Sequence, residues 1–409
     1  MIGTGIAGLG AAYALARQHE VVLLERNDYV GGHTNTVAVR RDHRALALDT
    51  GFIVHNEQNY PNLVRLFREL GVRTQDSDMS FSVSCRRCGL EYSGRRPFAQ
   101  PWNAANPRFR QLLIEIVRFL RSAPAILDDP RYQSATLGRC VAAEGYSRSF
   151  VDHYLVPLTA AIWSTAPVRA LDFPAAYAVR FFDNHGMLGF RRHRWRSVVG
   201  GSSEYVHAIL GRLDATVRTC TEVVALARDS TGVALQTGDG ERHRFDRAVV
   251  ATHADEALRL LADPTEDEQR ILGAFGYTRN ETVLHTDERF LPAARAARAS
   301  WNFQLEDCRD HAPKPTMTYY LNRLQQLDEA EHFCVTLNRS HEIRQDRVIE
   351  RLVYHHPLYD TAALAAQKLL PSLNDPRHTV YCGAYHGFGF HEDGLVSGLR
   401  AAAALGARW

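Results

Sequence analysis

Gly3, Gly5 and Gly8 stand in G-x-G-x-x-G spacing at the head of a stretch that reads as turn, helix and strand. The helix predicted over 6–17 is built from small and apolar residues, among them Ala7, Ala11, Ala12, Ala14 and Ala16. His19-Glu20 breaks it, and Val21-Val22-Leu23-Leu24 is an apolar run of the buried-strand type. Glu25 closes that strand twenty-two residues after Gly3. The first glycine permits a tight turn, the second lets a pyrophosphate approach the backbone, and the third lets the helix pack closely on its strand. The helix N-terminus offers open N–H groups and a positive dipole end to phosphate, so Ile6 and Ala7 are candidate contacts beside the glycines. An acid at the strand tip accepts from a ribose hydroxyl and repels a 2′-phosphate. The predicted ligand is therefore NAD or FAD rather than NADP.

Arg26 follows Glu25, and after four intervening residues comes Gly31-Gly32-His33-Thr34. This run resembles the E-R-x-x-x-x-G-G signature of the flavin amine oxidase superfamily, which also holds phytoene desaturases and protoporphyrinogen oxidases. The resemblance implies FAD as cofactor, with Glu25, Arg26, Gly31, Gly32 and His33 near it. It also implies an α/β fold: a discontinuous Rossmann-like FAD-binding domain over 1–75, 195–262 and 371–409, and a mixed α+β substrate domain over 76–194 and 263–370. Only Met1 and Ile2 precede Gly3, whereas a parallel strand takes roughly five or six residues. The first strand is therefore expected to begin upstream of Met1.

The closing stretch points the same way. A strand over 379–382 runs into Gly383, Gly387 and Gly389 follow, and His391-Glu392-Asp393-Gly394 precedes a helix rich in alanine. This resembles the superfamily's final motif, in which a helix start aims at the flavin. By that match Gly383 is a close approach, Gly394 with Leu395 lies at the flavin's pyrimidine edge, and the Gly394 N–H stabilises charge on the reduced ring. In the strand near 216–226 the superfamily has a valine against the adenine, which Val223 or Val224 matches. Ala384, where the superfamily has an acid, and Asp393, where it often has glycine, are departures. The G-F-H-E-D-G run looks like a bacterial subfamily of flavin- or NAD-binding proteins. Some of its members are associated with genes for cyclopropane or methyl-branched fatty acids.

Between the ends, apolar spacing predicts a helix over 60–70 ended by Gly71, a hairpin over 80–92, and a basic amphipathic helix over 109–120. Such a basic stripe packs into a core or lies on an anionic membrane. Trp163, Tyr177, Phe181, Phe182 and Phe190 are candidates for an aromatic lining. Net charge is +2, so no electrostatic case exists for a nucleic-acid partner. The seven cysteines are odd in number and scattered, as in a reducing, cytoplasmic compartment. No metal is expected. Cys85 and Cys88 form a C-x-x-C with no second pair nearby, which reads as hairpin residues or a redox pair. The adjacent His355 and His356 point apart in a strand.

Lys314 and Lys368 are the only lysines, and arginine cannot replace lysine in a role that needs deprotonation. This argues against lysine-assisted amine oxidation. The expected activity is that of an FAD-dependent oxidoreductase removing hydride from an apolar, fatty-acyl or related lipid substrate, with peripheral contact at the inner membrane. A flavin amine oxidase releasing hydrogen peroxide, or a non-catalytic FAD-binding partner protein, are the alternatives. His391 and Glu392 are the candidate catalytic residues because they precede the flavin-facing helix; either could instead cap it.

Overall fold

The computed structural model describes residues 1–41, 44–188, 193–309 and 314–409. Its first half is organised on a parallel sheet. Thr216–Arg218 pairs with Val22–Leu24, Ile2 bridges Leu24 and Val250, and Ala248–Val250 pairs with Thr379–Tyr381. Leu23, Val250 and Val380 are wholly buried, as expected where helices cover both faces of parallel strands. A three-stranded antiparallel meander, Val223–Asp229, Gly232–Thr237 and Arg242–Phe245, extends this half.

Two helices from opposite ends of the chain, Ile6–Leu15 and His391–Ala404, press together beside the sheet. Missing side chains make this possible. An added Cβ on Gly398 would lie 2.1 Å from the Ala7 carbonyl oxygen, and one on Gly394 would lie 2.8 Å from Ile6 Cγ2. Leu395 fills the space left by Gly10, where a Cβ would come within 2.5 Å of Leu395 Cδ1. Every residue of the first helix is buried as a result.

The second half is a seven-stranded mixed sheet. Its order is Val348–Pro357, Tyr277–His285, Cys334–Leu337, Met317–Tyr320, Trp301–Leu305, Phe81–Cys85 and Glu91–Ser93. Only the Trp301–Leu305 and Phe81–Cys85 pair is parallel. Helices Pro107–Ser122, Leu137–Ala143, Val156–Trp163 and Ala175–Asn184 share one core with its far end. In Pro107–Ser122 the core face is Phe109, Leu112 and Phe119, while Ile114 and Val117 of the apolar pattern face outward. The helix Pro61–Leu70 ends at Gly71 in the left-handed conformation, φ 75°, and the hairpin forms as read from its alternation.

Buried Asp49 ties the halves. It accepts from the Thr36 hydroxyl (2.6 Å), from the Ser202 N–H and hydroxyl (2.8 Å each), and from the Gln325 amide (3.1 Å). Asp49→Ala strands these buried donors and is expected to lower stability by about 3 kcal/mol, read as an earlier urea midpoint. Gly398→Ala is expected to separate the two end helices and reduce the flavin retained on purification. An unchanged 450 nm to 280 nm absorbance ratio in that variant contradicts the packing account.

Candidate active site

A cavity of about 630 Å³ opens where the two halves meet. At one end stands the start of the first helix. Gly5 is its N-cap, with no side-chain cap and no acid in the first turn, so the leading N–H groups are open to an anion. A Cβ on Gly5 would meet nothing within 4 Å, whereas one on Gly32 would meet Gly5 Cα at 3.1 Å. The two glycine loops thus pack backbone to backbone and leave one wall of the cavity without side chains. Glu25 is buried at this end. Its carboxylate accepts from the Thr4 N–H (3.0 Å), the Thr4 hydroxyl (2.6 Å) and the Asn27 N–H (3.0 Å).

Of the residues singled out in the sequence, Gly3, Gly5, Ile6, Ala7, Glu25, Arg26, Gly32, His33, Val223, Val224, Gly383, His391 and Gly394 line the cavity. Gly8 and Gly31 lie behind it as close-packing positions, Gly31 against the Thr34 carbonyl. Three expectations need correction. Leu395 does not reach the cavity; it is core, seated on Gly10. Glu392 turns away, its oxygens taken by the Asn62 N–H (2.9 Å), the Asn62 amide (2.7 Å) and the Leu63 N–H (3.0 Å). It caps the helix Pro61–Leu70, whose positive end favours a carboxylate. Gly394 does line the cavity, but its N–H is already donated to the Phe390 carbonyl at 3.1 Å. The closing helix begins at His391, so the open donors of its first turn belong to residues 391–393.

His391 is held on three sides. Nε2 lies 2.7 Å from the Tyr205 hydroxyl and 3.0 Å from that of Thr34, and the ring stacks on Phe52 at 3.8 Å. Burial pushes its pKa down to about 3. His33 sits among the rings of Tyr354 (4.9 Å), His356 (5.5 Å) and His253 (6.2 Å). Burial, reinforced by the neighbouring imidazoles, holds His33 well below the ordinary histidine value. His356, half-buried and hydrogen-bonded to the Asn280 side chain at 2.9 Å, is pushed down by desolvation to about 4.

The charged side chains of the lining are Glu25, Arg26, Glu222, Glu256 and Arg259. They gather at the first-helix end, where Arg26 pairs with Glu256 at 2.8 Å. Among the described residues the rest of the wall carries no charge: beside hydroxyls such as those of Ser164 and Thr252 it is mostly aromatic, apolar or histidine, with Tyr60, Trp163, Phe181, Trp301 and Tyr319 among others. Of the aromatic lining read from the sequence, Trp163 and Phe181 face the cavity. Phe182 is core, and Tyr177 packs behind, against Tyr359 and Phe388. Phe190 lies outside the described residues. Tyr60, Trp301, Tyr319 and Tyr354 had no local signal, since they come from segments that meet only in the folded chain.

The C-x-x-C pair also departs from expectation. It is not alone: Cys308, 223 residues after Cys85, and His153, 65 residues after Cys88, close around it.

A fold with a dinucleotide cradle at one end and an aromatic chamber at the other defines a flavoenzyme of the amine oxidase type. Residues 6–406 match the model of the flavin containing amine oxidoreductases, and the chain belongs to that family. Its members bind FAD, and this chain is an FAD-dependent oxidoreductase. Among solved structures, putrescine oxidase bound to putrescine is 14% identical, with a TM-score of 0.70 over 100% of this chain and 98% of that one. The CLA-producing fatty acid isomerase from P. acnes is 15% identical, with a TM-score of 0.69 over 97% and 96%. Cyclohexylamine oxidase from Brevibacterium oxydans IH-35A is 16% identical, with a TM-score of 0.65 over 99% and 97%. No curated protein matches the chain by sequence. FAD suits the cavity on the chain's own evidence, namely the side-chain-free glycine wall and the uncapped helix start.

The desolvated cavity histidines make stability pH-dependent. His356 and His391 protonate near 6.5 when exposed but near 4 and 3 in the fold. On acidification the unfolded chain therefore takes up protons first, and stability falls as pH drops from about 6.5 towards 4. The urea midpoint of the apoprotein is expected to decline over that window, with a shallower decline in His356→Gln.

Proposed function

We propose that this oxidoreductase removes hydrogen from an uncharged, apolar substrate of the fatty-acyl or related lipid class. One observation carries the reading: beyond the first-helix end, no Asp, Glu, Lys or Arg side chain lines the cavity among the described residues. A substrate ammonium would be stripped of water there without a counter-charge, at a cost of several kcal/mol. A hydrocarbon chain loses nothing and gains burial against aromatic walls.

When bound, FAD supplies the acceptor for a hydride and its two electrons. Glu25 is assigned to the adenosine ribose, and the open N–H groups of the first helix to the pyrophosphate. Val223 and Val224 are assigned to the adenine, and the first turn of the closing helix to the ring. The aromatic wall excludes water and holds the chain in place. His33 and His356, held neutral by burial, are the acceptors for a proton released from the substrate. His391, fixed by Tyr205, Thr34 and Phe52, acts by orientation. Outside the cavity, Arg110, Ile114, Val117, Arg118 and Arg121 form one outward stripe on Pro107–Ser122, of the kind that rests on an anionic lipid surface.

Anaerobic reduction of the flavin tests this. Fatty-acyl lipids are expected to bleach the 450 nm band, and diamines and alicyclic amines to leave it unchanged. Bleaching by amines alone, with hydrogen peroxide released in air, contradicts the proposal.

A further inference from the structure

The structure assigns a second site, outside the flavin cavity: Cys85, Cys88, His153 and Cys308 form a tetrahedral Cys₃His site for a structural zinc ion.

Their ligand atoms all lie within 4.8 Å of one another. Cys85 Sγ and Cys308 Sγ are 3.8 Å apart, and Cys88 Sγ and His153 Nε2 are 3.9 Å apart. With zinc–sulfur bonds near 2.3 Å and zinc–nitrogen bonds near 2.0 Å, tetrahedral edges are about 3.8 Å and about 3.6 Å. The two separations, 3.8 Å and 3.9 Å, therefore lie within about 0.3 Å of opposite edges of one tetrahedron. A disulfide, by contrast, requires sulfurs at about 2.05 Å.

Each ligand is presented by local structure suited to it. Cys85 ends the strand Phe81–Cys85, and Cys88 sits in the following turn, which Gly89 completes at φ +71°. The turn is closed by the Gly89 N–H to the Cys85 carbonyl (3.0 Å) and by the Cys85 N–H to the Leu90 carbonyl (2.9 Å). Within it the Cys88 N–H faces the Cys85 sulfur and the Leu90 N–H faces the Cys88 sulfur, the donor arrangement a bound thiolate needs. Cys308 follows the strand Trp301–Leu305, whose Leu305 is in register with Cys85. His153 lies in the single π-helical turn Val151–Leu155, a local widening that re-aims a side chain. Its Nδ1 is 3.3 Å from the Ser149 carbonyl, a bond that fixes the tautomer and leaves Nε2 to coordinate. Cys85 and His153 are buried while Cys88 is exposed, which gives an ion a way in. On binding, the three thiols release their protons to solvent, and the thiolates with neutral imidazole supply four ligands. Soft thiolates with one imidazole in this geometry select zinc over calcium or magnesium.

The site pins the helix Val156–Trp163, which carries Trp163 of the cavity wall, to the edge of the seven-stranded sheet. Four ligands and no open position make it structural rather than catalytic. It does not depend on the substrate proposed above.

The test uses the FAD-loaded full chain, purified under reducing conditions without added metal. About one zinc per chain is expected by elemental analysis, released when the thiols are modified. After chelation, cobalt(II) is expected to give thiolate charge-transfer and tetrahedral d–d bands. Cys88→Ser and Cys308→Ser are expected to lose at least ten-fold in zinc occupancy, with flavin content as the check on folding. Should either variant fail to fold, the cobalt spectrum of the wild-type chain decides. Less than a tenth of a zinc per chain together with no tetrahedral cobalt bands overturns the assignment, as does a disulfide among these cysteines in peptide mapping.

Discussion

The backbone-to-backbone contact between the first and last helices is the constraint from which the rest of the molecule follows. Gly394 and Gly398 admit no Cβ at this contact without meeting Ile6 or Ala7, and Gly10 admits none without meeting Leu395. With the helices this close, their two N-terminal ends, one at Gly5 and one at His391, open on a single cavity. Dispersion and burial hold the contact, since nearly every residue across it is apolar or glycine. The glycines are thus needed twice, once for packing and once for the side-chain-free wall.

The cavity is divided electrostatically along its length. Charged groups collect at the first-helix end, where Arg26 pairs with Glu256 and Glu25 accepts from backbone N–H groups. Elsewhere the titratable groups are tyrosines and histidines, and desolvation shifts Tyr60, His356 and His391 among them towards their neutral forms. A low-dielectric chamber of this kind strengthens any polar contact made inside it and penalises any unpaired ion. Asp393 serves the chamber indirectly: its carboxylate accepts from the Phe390 N–H at 2.9 Å and so anchors the loop carrying Phe388 and Phe390.

What was legible in the sequence was local in origin. The glycine spacings, the terminal Glu25 and the hydrophobic periods each record a constraint among residues a few positions apart, and they pointed to the nucleotide half and to FAD. The closing helix begins at His391, four residues before the start near Leu395 that the sequence suggests, because Glu392 and Asp393 look alike as capping acids. In the fold Asp393 caps its own helix and Glu392 caps another, 329 residues away in the chain at Leu63. The further neighbours of the cysteine pair are likewise beyond local reading, although Cys85 and Cys88 do stand in the hairpin that the alternation predicts. Nothing near Cys85 signals Cys308, because only the parallel pairing of two strands brings them together. Likewise the sheet that supplies Tyr319, Tyr354 and His356 assembles strands in an order no local pattern encodes.

Hydrogen–deuterium exchange with and without FAD tests the central claim most directly, that both ends of the chain close on one cofactor. Joint protection on FAD binding of residues 3–8, 31–34 and 383–394 is the outcome predicted. Protection confined to the N-terminal segment, with 383–394 exchanging as in the apoprotein, would contradict it.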